Sequence, residues 1–439
     1  MKRFTQFAAV LSLLAFAACP AFASFGASAN DTPSQPLRWK QGTVQIAVST
    51  SLIRQNPNIK YDSDVAGAIR RSFQTWQRYV DIDLQEVSSE KQSISPSGLR
   101  GDGINLITIA QTPENILFFS KGLEESAAAT RVFYDKRGLV TEADIALNPF
   151  QQFSTDGTIG TFDLESTLTH EIGHLLGLEH SDVLGATMHE KYGKNGAYGL
   201  SSFSARTLSQ DDIAAVRRLY GSKNDRDACC GRIAGKLAAA DGKPRSWQVW
   251  AEDPVSGQVR SEIAAGTDGS FKLDGLSGGT FALFAQERAN GFPTRDGRIG
   301  DFAASSNETN ALNKKISTGK GNFRLEFLGF NGQLSDIAVS VNPGKTYTIY
   351  LGGKNLDPKV ITAGFTSPFL TVVPNSLQSV DFGSDVSVLS FDMRVDADTP
   401  VGDYSVFAQT ESGLRRYIVG GITVEEFLNP FAKFGTNFD

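Results

Sequence analysis

Apolar residues alternate at the two-residue period of a half-buried strand from Gly42 to Thr50, where Val44, Ile46 and Val48 share a face. The period then lengthens. Val65, Ile69, Phe73, Trp76 and Val80 recur at three- and four-residue steps, the stripe of an amphipathic helix that Asp62 or Ser63 can cap. Strands are predicted at Ile104 to Ala110, Thr130 to Tyr134 and Ala143 to Leu147, followed by a second helix from Leu164 to Leu178. A third helix is expected from Asp211 to Leu219, with Ser209 as its cap and Gly221 as its stop. Strands mixed with helices over residues 38–221 predict one α+β unit, a twisted mixed sheet with three helices.

Beyond Cys230 the pattern changes to short alternating strands separated by glycine-rich turns, which predicts two all-β sandwiches after a polar linker at 222–229. Residues 230–325, with GRIAGKLAAADGKP and TDGSFKLDGLSGGTFALFA, resemble the carboxypeptidase-regulatory-like sandwich. Residues 326–428 carry the strands Thr346 to Leu351, Ser387 to Arg394 and Gly402 to Gln409, similar to immunoglobulin-like domains. Residues 429–439 form a tail.

The first residues bear on the compartment. Lys2 and Arg3 precede an apolar run from Phe7 to Ala18, and Ala21-Phe22-Ala23 offers a signal-peptidase site. Residues 1–23 are therefore expected to be a signal peptide and 24–37 a short polar lead, which places the protein outside the cytoplasm, extracellular or periplasmic. Lipid anchoring at Cys19 is the alternative. No later apolar stretch reaches the ~20 residues of a membrane span. Loss of Lys2 and Arg3 moves the net charge from −6 to −8, which argues against a nucleic-acid partner. Cys229 and Cys230 are too few for a disulfide framework, and their neighbouring positions leave a ring, an interchain pair and free thiols all open.

The chemistry is concentrated in HEIGHLLGLEH. His170 and His174 stand one helical turn apart and project from one face, while Gly177 can end the helix and let His180 approach the same point. Three neutral imidazoles hold a zinc ion and leave a fourth position open. Glu171 faces the same side as a candidate general base. With 4 His and 43 Gly in the chain, chance occurrence of this pattern is on the order of 10⁻⁶.

HExxHxxGxxH followed by Met188 resembles the metzincin signature, and Ser181 after the third histidine resembles the matrixin branch that contains the matrix metalloproteinases. LSQDDIAAVRRLYG, Leu208 to Gly221, is similar to the last helix of that catalytic domain. The resemblance implies a zinc endopeptidase acting on protein or peptide substrates. It also implies a methionine turn at Met188 buttressed by Asp211 and Asp212, and a specificity-pocket wall at Glu190 and Tyr192. By the same resemblance substrate adds as a strand along an edge at Ala127 to Val132, with Ala127, Ala128 and Ala129 at its start. His189 either lines the wall or faces solvent.

Departures from the family pattern are equally informative. Glu190 replaces the usual proline. No histidine precedes His170, so a second, structural zinc of the family type cannot be built. Asp135, Asp144, Asp156 and Asp163 are candidate calcium ligands, but no motif supports calcium. A cysteine-switch propeptide is not expected; Asp31, or Cys229 or Cys230, would be the zinc blocker in a latent form. The competing reading is an inert scaffold whose sandwiches bind a surface, a glycan or a protein. Retention of Glu171 speaks for the enzyme.

Overall fold

The computed structural model describes residues 19–20, 22–25, 36–40, 42–98, 100–120, 125–223, 229–288, 293–295, 297–304, 310–319, 323–383 and 385–425. Asp31, most of the expected signal peptide and the 429–439 tail lie outside the described residues.

The first unit is an α+β domain. Its elements are β1 (Cys19–Pro20), β2 (Phe22–Phe25), β3 (Gly42–Ser49), α1 (Thr50–Ile53), α2 (Val65–Gln77), β4 (Ile82–Ser89), β5 (Asn105–Thr108) and α3 (Pro113–Phe119). They are followed by β6 (Ala128–Tyr134), β7 (Val140–Leu147), β8 (Phe153–Ser154), β9 (Phe162–Asp163), α4 (Leu164–Leu175), β10 (Lys191–Tyr192) and α5 (Gln210–Tyr220). The main sheet runs β2-β6-β7-β5-β3-β4. Only the β6–β7 pair is antiparallel.

The sheet packs against α2 and α4. Ile69, Phe73, Trp76 and Val80 from the predicted stripe enter one core with Ile46, Val48, Leu168 and Ile172. Trp76 Nε1 donates to Thr169 O at 2.8 Å, which fixes α2 against α4. The cap of α2 is Asp64 rather than Asp62 or Ser63, because the Asp64 carboxylate reaches the Gly67 N–H at 2.9 Å, three residues on. The second helix ends at Leu175, earlier than Leu178. Gly177 adopts φ +94°, and a Cβ there would sit 2.3 Å from Leu37 O, so only glycine permits this exit. Ser209 caps α5, as the sequence predicts, and Asp212 completes a capping box with it.

A long all-β region follows. One pair of sheets has the orders Ser270–Leu276, Gly231–Ala239, Asn310–Ile316 and Val259–Ala264, Trp247–Glu252, Gly279–Glu287, Arg298–Ala304, around a core containing Ile233, Trp247, Phe271 and Leu283. A second pair is built on Arg324–Phe330, Thr346–Lys354 and Ser387–Val395 in one sheet and Ile361–Phe365, Gly402–Thr410 and Leu414–Val424 in the other. Its core includes Leu328, Ile349, Phe391, Tyr404 and Ile422. Cys229 and Cys230 are bonded to each other.

The three units share a junction. Val183 and Ala186 from the first unit are buried with Trp250, Val259 and Phe284 from the second and with Tyr417 and Val419 from the third. Among the described residues no helix is long and apolar enough to cross a membrane.

Candidate metal centre

Helix α4 is buried along its whole length, so its polar groups need partners inside the protein. Asp163 caps it by accepting from Ser166 N at 2.8 Å and is gripped by Arg206 through Nε at 2.9 Å and Nη2 at 2.6 Å. Arg71 Nε donates to Glu165 at 2.8 Å. These pairs tie the start of the helix to α2 and to the loop before α5.

His170, His174 and His180 converge as the sequence spacing predicts. Their nearest ring nitrogens all lie within 4.8 Å of one another. His170 Nδ1 contacts Thr187 O at 2.6 Å and His174 Nδ1 contacts Leu178 O at 2.8 Å. A carbonyl can only accept, so both rings carry their proton on Nδ1 and present an Nε2 lone pair to the common point. His174 Nε2 and His180 Nε2 are 3.1 Å apart, and His170 Nε2 is fully buried without a hydrogen-bond partner. This orphaned nitrogen and the two others facing the same space form a donor set that could hold a metal cation such as zinc.

Burial reinforces the neutral state of the rings. Desolvation lowers the pKa of His174 to about 4 and, helped by the His174 charge, that of His180 to about 3. His170 is pushed well down by the same cause.

Glu171 is completely buried on the same helix, and desolvation raises its pKa to about 8. Thr130 Oγ1 lies 2.5 Å from Glu171 Oε2, while Oε1 has no partner. Thr130 sits on β6, so the strand that carries Ala128 and Ala129 also touches this carboxyl. Ala127, Ala128 and Ala129 are buried. On the side of β6 away from β7, Phe22–Phe25, which spans the expected cleavage point after Ala23, pairs in parallel with Ala129–Val132.

Met188 lies beneath the histidines. A Cβ on Gly173 would meet Met188 Sδ at 2.2 Å and Trp76 Cζ2 at 2.8 Å, so the glycine between the two helical histidines is what admits the methionine. Asp212 holds this turn by accepting from Thr187 N at 2.8 Å and Met188 N at 3.0 Å. Asp211 acts elsewhere, accepting from Ser181 Oγ at 2.6 Å and from Glu262 N of the first sandwich at 2.5 Å.

Tyr192 places its ring 5.4 Å from that of His170 and lines a cavity of about 60 Å³ with Thr187, Lys191 and Leu200. Glu190 is not part of that lining, and its charge acts on Arg288 instead. His189 is half-buried, with Nδ1 3.1 Å from Ser181 O and Nε2 3.3 Å from Asp336 O. The four acids considered for calcium are engaged by protein. Asp135 pairs with Arg137, Asp156 with Lys60 and Asp163 with Arg206, while Asp144 accepts from Ser95 N and Leu106 N.

Residues 38–221 match the Peptidase_M10 profile, matrixin. Metalloendoproteinase 1 of Glycine max is 32% identical over 193 residues, 42% of this chain and 53% of that protein. Interstitial collagenase of Oryctolagus cuniculus is 28% identical over 190 residues, 43% of this chain and 34% of that protein. The chain thus spans about half, or less, of these relatives' length. Among solved structures, the Bacteroides ovatus mixed-linkage glucan utilization locus SGBP-B, in complex with a mixed-linkage heptasaccharide, aligns at 16% identity and a TM-score of 0.18. It covers 44% of this chain and 42% of that one, a likeness too slight to assign a fold.

Proposed function

From the membership of residues 38–221 in the matrixin family of zinc metalloendopeptidases, we propose that the chain is a secreted bacterial endopeptidase that hydrolyses peptide bonds in protein substrates. The observation that carries this reading is the convergence of three imidazole nitrogens within 4.8 Å beside a buried glutamate.

His170, His174 and His180 would hold one zinc ion. When bound there, zinc supplies Lewis-acid polarisation of a carbonyl and acidification of a water. Glu171 would take a proton from the attacking water and return it to the departing amine. Thr130 orients the Glu171 carboxyl, and Met188 supports the rings from below. Strand β6, with Ala127, Ala128 and Ala129 at its start, would receive the substrate backbone on the side that Phe22–Phe25 covers here and that cleavage after Ala23 would open, and Tyr192 would wall the pocket beside the metal. Lys2, Arg3 and the apolar run before Ala23 support export.

The test uses the full-length zinc-loaded chain on unfolded casein, with and without a chelator, beside Glu171→Ala. Cleavage should stop on chelation and fall by at least about 100-fold in the variant, with zinc content unchanged. Equal cleavage by Glu171→Ala, or none by the folded, zinc-loaded wild type, overturns the proposal.

A further inference from the structure

The cavity beside the histidines is enclosed by two units of the chain. Its near wall contains Thr187, whose carbonyl meets His170 Nδ1, and Tyr192, whose ring lies against that of His170. Ile337, Ala338 and Ser340, from the second sandwich, line it as well. The cavity thus lies against the two residues that touch His170, and part of its wall is a surface that the peptidase domain does not supply.

Several contacts hold that surface in place. A Cβ on Gly193, the residue after Tyr192, would lie 2.9 Å from Ile337 Cδ1, so the bare backbone there accommodates the sandwich. Tyr198 is buried in the sandwich's own core, and its hydroxyl is within hydrogen-bond reach of Leu328 O at 3.0 Å and Ile337 O at 3.2 Å. Its backbone is clamped at both ends: Tyr198 N donates to Gln333 Oε1 at 2.7 Å, and Asn331 Nδ2 donates to Tyr198 O at 2.7 Å. Tyr198 adopts φ +55°, a conformation unusual for a residue with a side chain, and these contacts hold it there. Lys191 pairs with Asp336 beside Ile337. The loop that walls the cavity is thus built onto the sandwich.

We propose that Ile337 and Ala338 set the length of substrate side chain that fits beside the metal centre, so that the C-terminal sandwich is a specificity element of the peptidase. This assignment rests on the peptidase reading. The residue following the cut would place a short or medium aliphatic side chain in the cavity, because its volume is about 60 Å³ and Leu184, Ala186, Leu200 and Ile337 offer apolar lining among the polar groups of Asp163, Lys191 and several serines. One methylene accepted or refused by an apolar pocket changes discrimination by about 10- to 200-fold.

The test pairs binding with turnover. Full-length, zinc-loaded protein is titrated calorimetrically with three peptidyl hydroxamates whose side chain beside the hydroxamate is methyl, isobutyl or phenylpropyl, and matched peptides are assayed for cleavage. Ile337→Ala should tighten the phenylpropyl probe by about tenfold relative to methyl. Ala338→Leu should weaken the isobutyl and phenylpropyl probes by about tenfold while methyl binding is retained. Ile337→Val, a one-methylene step, gives a smaller shift in the same direction if Ile337→Ala does not fold, and thermal midpoints identify that case. Wild-type order and spacing of the three affinities in the folded variants overturns the proposal. If the probes discriminate by length but no peptide is cut, the peptidase reading fails and the pocket assignment stands.

Discussion

The hydroxyl of Thr130 lies 2.5 Å from Glu171 Oε2 and joins strand β6 to the helix that carries two of the three clustered histidines. The same hydroxyl is 3.2 Å from Glu171 O, so its single proton chooses between the side chain and the helix backbone. Both partners are buried, and a hydrogen bond of this kind contributes about 0.5–1.5 kcal/mol net.

Thr130→Val removes the hydroxyl and keeps the shape, leaving the Glu171 carboxyl without this orienting bond. The expected outcome is a fall in kcat of about tenfold or more with KM and zinc content little changed, and recovery in Thr130→Ser. Steady-state kinetics on one peptide check it. A variant that loses zinc, or that Ser does not rescue, would show Thr130 to be part of the packing only.

Gly173 gives a prediction about packing beneath the metal centre. Gly173→Ala forces a methyl to within 2.2 Å of Met188 Sδ and 2.8 Å of Trp76. Overpacking of this kind costs typically about 1–3 kcal/mol. The thermal midpoint should drop and zinc should bind more weakly, since the buried Met188 side chain must repack against Trp76 beneath the histidines. Gly173→Ala combined with Met188→Ala should recover much of the lost stability. Calorimetric unfolding with and without zinc reads both effects, and a single variant as stable as wild type contradicts the account.

The candidate site was legible because its residues are close in sequence. His170, Glu171 and His174 share one helical turn, and Gly177 marks the exit that brings His180 back, so local backbone geometry alone assembles most of the cluster. The strand pattern that reached Thr130 did not show that its hydroxyl faces Glu171, because a contact 41 residues apart depends on sheet register. Strand Ile82–Ser89 and helix Pro113–Phe119 were missed, although Thr112, Pro113 and Glu114 form a readable helix start. Tyr198 and Ile337 carry no local signal at all. Their roles arise from docking between units 139 residues apart in the chain, which neither periodicity nor motif spacing can encode.

The interface between the two sandwiches makes stability depend on pH. Glu252 Oε1 accepts from Trp250 Nε1 and, across the interface, from Ser405 Oγ, both at 2.8 Å. The residue is 1% exposed, and desolvation outweighs these bonds and the more distant positive charge of Arg298, raising its pKa from 4.5 to about 7. The folded chain therefore binds this proton more tightly than the unfolded chain does. The contribution to stability is complete below pH 4.5, declines as pH rises toward about 7, and is gone above it, a loss on the order of 3 kcal/mol. Glu252→Gln keeps an acceptor oxygen for Trp250 and Ser405 but cannot ionise. Other buried acids, such as Asp403 and Asp144, whose pKa values are also raised to about 7, titrate in both proteins. The readout is therefore the difference between the two chains. Urea midpoints measured from pH 4 to 8 should diverge with rising pH, the variant becoming the more stable by pH 8. Parallel curves would show that Glu252 reaches water or another cation when it ionises.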